Sequence, residues 1–228
     1  MAVKEKQFVE LEFTGKVKDT GEIFDTTNPK DAKAMGMKNE AKPLKICVGE
    51  GMLPEKFDKA LVGKETGKEY SIELSPKEAF GDRKSELIKT IPLRIFTEKN
   101  VMPYKGMMLN LDGMLVRVVS VSGGRVIADF NNPLAGKNIL YEFRIIRSIE
   151  DKKGQADAFI EAFLRLDSSK LDVKIEGNKA VAAFDVKDDE FKFYEEIFKS
   201  LSEKARSLLD LEFELKNKNS PEKSSEKK

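Results

Sequence analysis

Apolar residues in the first third of the chain alternate with polar ones at Val9, Leu11 and Phe13, at Leu44, Ile46 and Val48, and at Tyr70, Ile72 and Leu74. A period of two predicts half-buried strands. Asp19–Gly21 turns the chain after the first of these, and Glu22–Thr26 reads as extended again. Residues 28–42 are polar and read as a loop or a loose helical turn. Between the second and third alternating runs stands GEGMLPEKFDKAL, residues 49–61. Its two glycines predict a turn, and Pro54 and Glu55 open a short helix, where a missing N–H costs nothing. Leu53, Phe57, Ala60 and Leu61 fall on one helical face. Gly63 is placed to end the helix.

Past Gly81 the pattern changes. Leu87–Ile91 reads as a strand and Pro92–Phe96 as one helical turn. Met107–Leu111, Asp112-Gly113 and Met114–Val121 form a hairpin signal, since Asp-Gly suits a type I′ turn. Arg125–Phe130 follows a second turn and completes a three-stranded meander. The alternating run from Ile139 to near Ile149 has no place there and fits the first sheet, which is otherwise short of strands. Residues 83–135 therefore read as a domain inserted into another. After a charged break at residues 151–154, the pattern predicts a helix over Gln155–Leu166 and strands over Leu171–Ile175 and Ala180–Val186. A long amphipathic helix over Glu190–Leu209 and a last strand over Leu211–Leu215 follow. Residues 217–228 contain no apolar side chain and are predicted to be a disordered tail. The expected organisation is a discontinuous domain (1–82 and 136–151), an insertion (83–135), a C-terminal α+β domain (155–216) and the tail (217–228).

Composition narrows the chemistry. Charged residues make up 36%, but 41 Lys+Arg against 40 Asp+Glu leave no basic excess, so no nucleic-acid partner is expected. Cys47 is the only cysteine and lies in an apolar strand pattern, which reads as a buried small hydrophobe rather than a reactive thiol. The chain has no histidine, the commonest general base and zinc ligand, so neither metal nor cofactor is expected. It has no apolar run of the roughly 18 residues a membrane span needs, and its start, MAVKEKQFVE, lacks a signal-peptide core. A cytoplasmic location is the expectation.

The segments LEFTGKVKDTGEIFDTT, LKICVGEGMLPEKFDKALVGKETGKEY and IELSPKEAFGD, in that order, resemble the FKBP family of peptidyl-prolyl cis–trans isomerases. The insertion, with ADFNNPLAGK, resembles the insert-in-flap domain of the SlyD-like branch, and the C-terminal region resembles the long archaeal form of that branch. The resemblance covers Val3–Asp151 and, less fully, the last third. It implies an α+β fold: an FKBP-like antiparallel β-sheet wrapped on a short helix, a small all-β insert-in-flap domain and a C-terminal α-β-β-α-β domain. It implies catalysis of X–Pro bond rotation in protein folding. That reaction faces a resonance barrier of about 18–20 kcal/mol and breaks no bond, so a chain without histidine can catalyse it. A dry aromatic bowl with one or two polar groups suffices if it favours the twisted amide over both planar forms.

Carried over by position, the resemblance assigns the bowl to Phe13, Phe24, Leu44, Ile46, Leu53, Pro54, Phe57, Phe80 and Tyr141, with Phe57 as its floor and Asp25 beside the substrate carbonyl. For each aromatic the alternative is plain core packing, and for Asp25 a turn role beside Thr26 and Thr27. The chain departs from the family at three positions. Phe13 and Phe80 stand where a tyrosine is common. Pro54 has no N–H at the position that usually offers one to a substrate carbonyl, unless a one-residue slip hands that role to Glu55. In the insertion, Met102, Met107, Met108 and Met114, four of eight methionines, join Leu93, Phe96, Tyr104, Phe130 and Leu134. They are either the core of a small domain or a flexible groove for unfolded chain. The resemblance implies such a chaperone-like groove, with unfolded or partly folded proline-containing polypeptides as partners and FK506-like macrolides among possible ligands. The apolar face of the long C-terminal helix is either its core contact or, by resemblance to the long archaeal form, a homodimer interface. The competing reading of the whole is a holdase on an FKBP scaffold with weak or no isomerase activity.

Overall fold

In chain order the elements are β1 (Phe8–Val17), β2 (Ile23–Thr26), α1 (Pro29–Ala34), β3 (Leu44–Cys47), α2 (Glu55–Leu61), β4 (Glu69–Leu74), β5 (Ile88–Pro92), α3 (Leu93–Thr97), β6 (Met108–Leu111), β7 (Met114–Ser122), β8 (Arg125–Asp129), β9 (Ile139–Ser148), α4 (Lys152–Leu164), β10 (Leu171–Glu176), β11 (Lys179–Phe184), α5 (Asp188–Leu209) and β12 (Glu212–Asn217). They come from a computed structural model that describes residues 2–37, 41–111, 113–164, 166 and 170–219. The chain divides into two compact units. One comprises Met1–Thr14, Asp25–Ile72 and Tyr141–Lys228, and the other Gly15–Phe24 and Glu73–Leu140.

The first unit carries most of a five-stranded sheet in the order β2-β1-β9-β4, with β3 also paired to β1. The β1–β3 pairing is antiparallel, from Phe8 opposite Cys47 to Leu11 opposite Leu44. The late strand β9 joins this sheet, as its lack of a partner in the meander predicts. On β1, Val9, Leu11 and Phe13 are buried while Glu10 and Glu12 are half-buried, the period-two signature of one covered face. Phe8 is buried as well, because the C-terminal region covers that end: Phe8, Cys47 and Ile149 share one core with Phe159, Ile160 and Phe184. That region has the order α4-β10-β11-α5-β12, with β11 antiparallel to β10 and parallel to β12.

The second unit carries a four-stranded sheet, β5-β8-β7-β6, where the sequence pattern predicts a three-stranded meander. The fourth strand is β5, antiparallel to β8 from Ile88 opposite Asp129 to Pro92 opposite Arg125. Its position at the edge explains how a strand ending in proline is tolerated, since one side of an edge strand needs no donor. Residues 83–135, the expected insertion, lie wholly in this unit.

Of the two readings of the stretch after Thr27, Pro29–Ala34 takes the helical one: Asn28 caps α1, its Oδ1 accepting from the N–H groups of Lys30 and Asp31. Two local expectations change. Pro54 stands just before α2 rather than inside it. The tail does not begin at 217, because Asn217 closes β12 and bonds Asp188, while Asn219 donates to Asp185 and to the Val186 carbonyl. The rest of the predicted tail, Asp112 of the hairpin turn and residues 38–40 lie outside the described residues. Among the described residues, no helix is long and apolar enough to cross a membrane.

Candidate active site

Helix α2 lies against the sheet through Phe57 and Leu61, both fully buried. The Phe57 ring stacks on Tyr141 of β9 at 4.5 Å and meets Phe143 at 5.1 Å and Phe13 of β1 at 6.2 Å. Phe13 and Tyr141 meet edge-to-face at 5.9 Å. Edge-to-face and offset contacts add to burial because ring edges are positive and faces negative. The first unit thus brings Phe13, Phe57 and Tyr141 into one cluster. Ile46 is buried, and Leu44, Leu53 and Pro54 are half-buried. The remaining two aromatics of the expected bowl, Phe24 and Phe80, belong to the second unit, where they pack edge-to-face at 5.6 Å.

Asp25 is held by a threonine lattice on either side of β1 and β2. Thr27 Oγ1 accepts the Phe13 N–H at 2.8 Å, and Thr26 Oγ1 donates to the Phe13 carbonyl at 3.1 Å. Buried Thr14 and Thr26 share a hydroxyl–hydroxyl bond of 2.9 Å, and Thr14 donates to Asp31 at 2.5 Å. The FDTT motif therefore has a mechanical meaning: its two threonines lock β2 to the backbone of Phe13, and Asp25 stands exposed just before them. Crowding by protein raises the Asp25 carboxyl above its ordinary value, offset in part by the Thr26 backbone N–H. Burial, and then the charge of Asp25, push the Tyr141 hydroxyl up to about 12. Asp25 and the ring cluster are thus electrically coupled.

Sequence reasoning missed the acid that shapes the neighbouring loop. Asp58, buried on α2, accepts the Gly49 N–H at 2.9 Å through one oxygen and the Gly51 N–H at 3.0 Å through the other. Gly49 and Gly51 both have positive φ, and at Gly49 a Cβ would stand 2.9 Å from Glu5 Cγ. The sequence signal was weak: an acid next to an apolar helix face, two turns of chain after a Gly-x-Gly. Thr14 and Asp31 were missed for the same reason, since their partners are distant in sequence. A cavity of about 450 Å³ is lined by Phe13, Tyr70 and Phe143 and by polar residues of the same strands, among them Glu12, Glu142 and Arg144.

The insertion's candidates separate into two groups. Phe96, 4% exposed, packs in the insertion's core with Val118 and Val126. Leu93 and Met107 pack against that core. Met102, Tyr104, Met108 and Met114 are exposed, Met102 at 75% and Tyr104 at 65%. Phe130 and Leu134 are half-buried, with Lys89 Nζ 5.1 Å over the Phe130 ring. Cys47 is buried and its thiol is pushed up to about 12, first by burial and then by Glu50 and Asp58, as expected of a packing residue.

Comparison with known proteins matches residues 1–94 to the family model of FKBP-type peptidyl-prolyl cis–trans isomerases and residues 89–134 to that of the FKBP26 IF domain. A short-type peptidyl-prolyl cis–trans isomerase of Methanocaldococcus jannaschii is 29% identical over 146 residues, 63% of this chain and 92% of that protein. The FKBP-type peptidyl-prolyl cis–trans isomerase SlyD of Treponema pallidum is 31% identical over 155 residues, 66% of this chain and 80% of SlyD. An FKBP-type 16 kDa isomerase of Escherichia coli is 27% identical over 117 residues, half of this chain and 78% of that protein. With the α+β fold and these relatives, the chain belongs to the FKBP-type peptidyl-prolyl cis–trans isomerases, in their SlyD-like branch.

Proposed function

We propose that the chain accelerates X–Pro rotation at a bowl built on Phe13, Phe57 and Tyr141 with Asp25 at its rim, and that Leu44, Ile46, Leu53 and Pro54 complete it. The observation that carries this reading is geometric: Phe13, Phe57 and Tyr141 pack into one aromatic cluster, and Asp25 lies on the strand that Thr26 and Thr27 lock to the Phe13 backbone. Rotation requires the amide to leave water and its carbonyl to turn. An apolar bowl removes the hydrogen bonds that favour the planar forms, and a fixed polar group meets the altered dipole of the turned carbonyl. Nothing in this step needs a nucleophile or a proton relay. Asp25→Ala should lower kcat/KM on a proline tetrapeptide by about one order of magnitude, less than the roughly 10²–10³ that a lost contact in a dry site costs, because Asp25 is itself exposed. Unchanged turnover in a folded variant would overturn the assignment of Asp25.

The inserted region is proposed to capture unfolded, proline-containing chain through exposed Met102, Tyr104, Met108 and Met114 and to feed the bowl. Tethering raises the effective substrate concentration without new contacts at the bowl. Deleting residues 83–135 should slow proline-limited refolding of a protein while sparing tetrapeptide turnover. Equal refolding rates with and without the insertion would remove its role. The holdase reading keeps one specific support, the missing donor at Pro54 and the missing hydroxyls at Phe13 and Phe80. Aggregation suppressed without isomerisation would favour it. FK506-like macrolides would occupy the same bowl, a cytoplasmic location fits the function, and α5, with Phe193 60% exposed, is the proposed face of a homodimer, to be tested by sedimentation.

A further inference from the structure

The second unit holds a cavity of about 510 Å³ at the base of the inserted region, within the size range of ligand sites. Four cations line it, Arg83, Lys105, Arg117 and Lys137, against one carboxylate, Asp129. That carboxylate is fully engaged. Arg83 donates to Oδ2 through Nε at 2.9 Å and Nη2 at 2.7 Å, and Asn131 donates to Oδ1 from its backbone at 2.9 Å and its side chain at 2.7 Å. Burial alone would raise the acid, but the bonds from Asn131 and Arg83 outweigh it and hold it below the ordinary value. Lys105, Arg117 and Lys137 have no carboxylate partner among the described residues. Met108, the cross-strand neighbour of Arg117, joins Val119 and Pro133 in an apolar part of the lining. Val119 is the extra residue of a bulge, where the β7–β8 register shifts between Val118 and Ser120, and bulges re-aim side chains.

We propose that this cavity binds acidic segments of unfolded polypeptide, carboxylate side chains flanked by apolar ones. The inference rests on the chaperone reading above and names its substrate class. Three cations with no carboxylate partner among the described residues call for anions, and Met108, Val119 and Pro133 call for side chains that also bury apolar surface. The space exceeds that of a small inorganic anion, and no aromatic ring lines it for stacking nucleobases.

The test uses the full chain and two labelled proline-free peptides with the same leucines, one carrying glutamates where the other carries lysines. Fluorescence anisotropy should show the glutamate peptide binding about tenfold tighter, with the preference shrinking as salt screens these partly exposed charges. K105E/R117E should abolish or reverse the preference, while K99E, outside the cavity, should leave it. Circular dichroism and tetrapeptide turnover verify the fold. If charge reversal perturbs it, K105Q/R117Q is read instead. Equal binding of the two peptides, or a preference that survives the double variant, overturns the proposal and leaves the chaperone reading standing. No binding of either peptide overturns both. Tripolyphosphate binding that the double variant abolishes, with no glutamate-peptide preference, would reassign the cavity to phosphates and also overturn it.

Discussion

Removing the Asp58 carboxylate should loosen the loop before α2 more than it damages the helix. Asp58→Ala deletes both acceptors that hold Gly49 and Gly51, at 2.9 and 3.0 Å. A hydrogen bond to a charged acceptor contributes about 1.5–3 kcal/mol, so two would cost about 3–6 kcal/mol if neither donor found another partner. Gly49 and Gly51 are themselves exposed, so water takes over part of the loss. The expected cost is therefore about 2–3 kcal/mol, a large share of the roughly 5–15 kcal/mol that stabilises a typical domain. Asp58→Asn keeps one acceptor and turns an amide toward the other donor, so it should lose about half as much. Urea unfolding followed by circular dichroism measures both. Because the loop borders the proposed bowl, KM for a proline peptide should rise more than kcat falls. An Asp58→Ala variant within about 0.5 kcal/mol of the parent would refute the reasoning, because the carboxylate would then be replaceable by solvent alone.

Asp25→Asn should bring the Tyr141 hydroxyl down from about 12 without reaching the ordinary tyrosine value, because burial is the larger cause and persists. An ultraviolet titration of the four tyrosines resolves this, and an unmoved late phase would deny the coupling. The Cys47 thiol and the Tyr141 hydroxyl are both raised to about 12, so the fold holds protons that the unfolded chain releases. Their stabilisation is complete below about pH 9 and is lost as pH rises toward 12, on the order of 3 kcal/mol by about pH 11. A flat stability profile over that window contradicts it. Gly154→Ala should destabilise by about 1 kcal/mol, although the same change in most helices helps. A Cβ there would stand 2.7 Å from Asp151 Oδ2 and 2.8 Å from Ile149 Cγ2, while Asp151 Oδ1 holds the Gly154 N–H at 2.6 Å. A raised melting temperature would count against that geometry.

What could be read from the sequence was what repeats along it. The alternation at Val9, Leu11 and Phe13 and the stripe through Phe57 and Leu61 each bury one face, and a periodic pattern is how one covered face is written. Strand β9 could be placed by exclusion, since an alternating run must pair somewhere. The strand at Ile88–Pro92 was read as a strand but not as a partner of β8, because pairing order is a property of the whole sheet and leaves no local period. Phe96 shows the same limit: its residue type suits a groove or a core, and its packing with Val118 and Val126 leaves no local period.

The polar scaffold of the candidate site was unreadable for a further reason: its bonds join residues far apart in sequence. Thr14 reaches Asp31, Asp58 reaches back to Gly49, and Lys204 of α5 pairs with Glu50 at 2.7 Å. Met52 of the same loop packs into the core that α4 and α5 share with Phe8 and Cys47, and its sulfur accepts the Cys47 N–H at 3.4 Å. The loop that borders Leu53 and Pro54 is thus held by α2, by β3 and by the C-terminal region. This bears on Pro54. A proline at a rim position cannot offer an N–H, and no rotation of the loop would restore one. A loop pinned from three sides can instead hold its shape, so that the apolar bowl carries substrate binding without the donor. The C-terminal region then has a part in the site that its distance in sequence conceals. Breaking the half-buried Lys204–Glu50 pair alone should cost about 1 kcal/mol, the upper end for pairs that solvent still reaches. The buried contacts of Met52 and Cys47 are the stronger tie between that region and the loop.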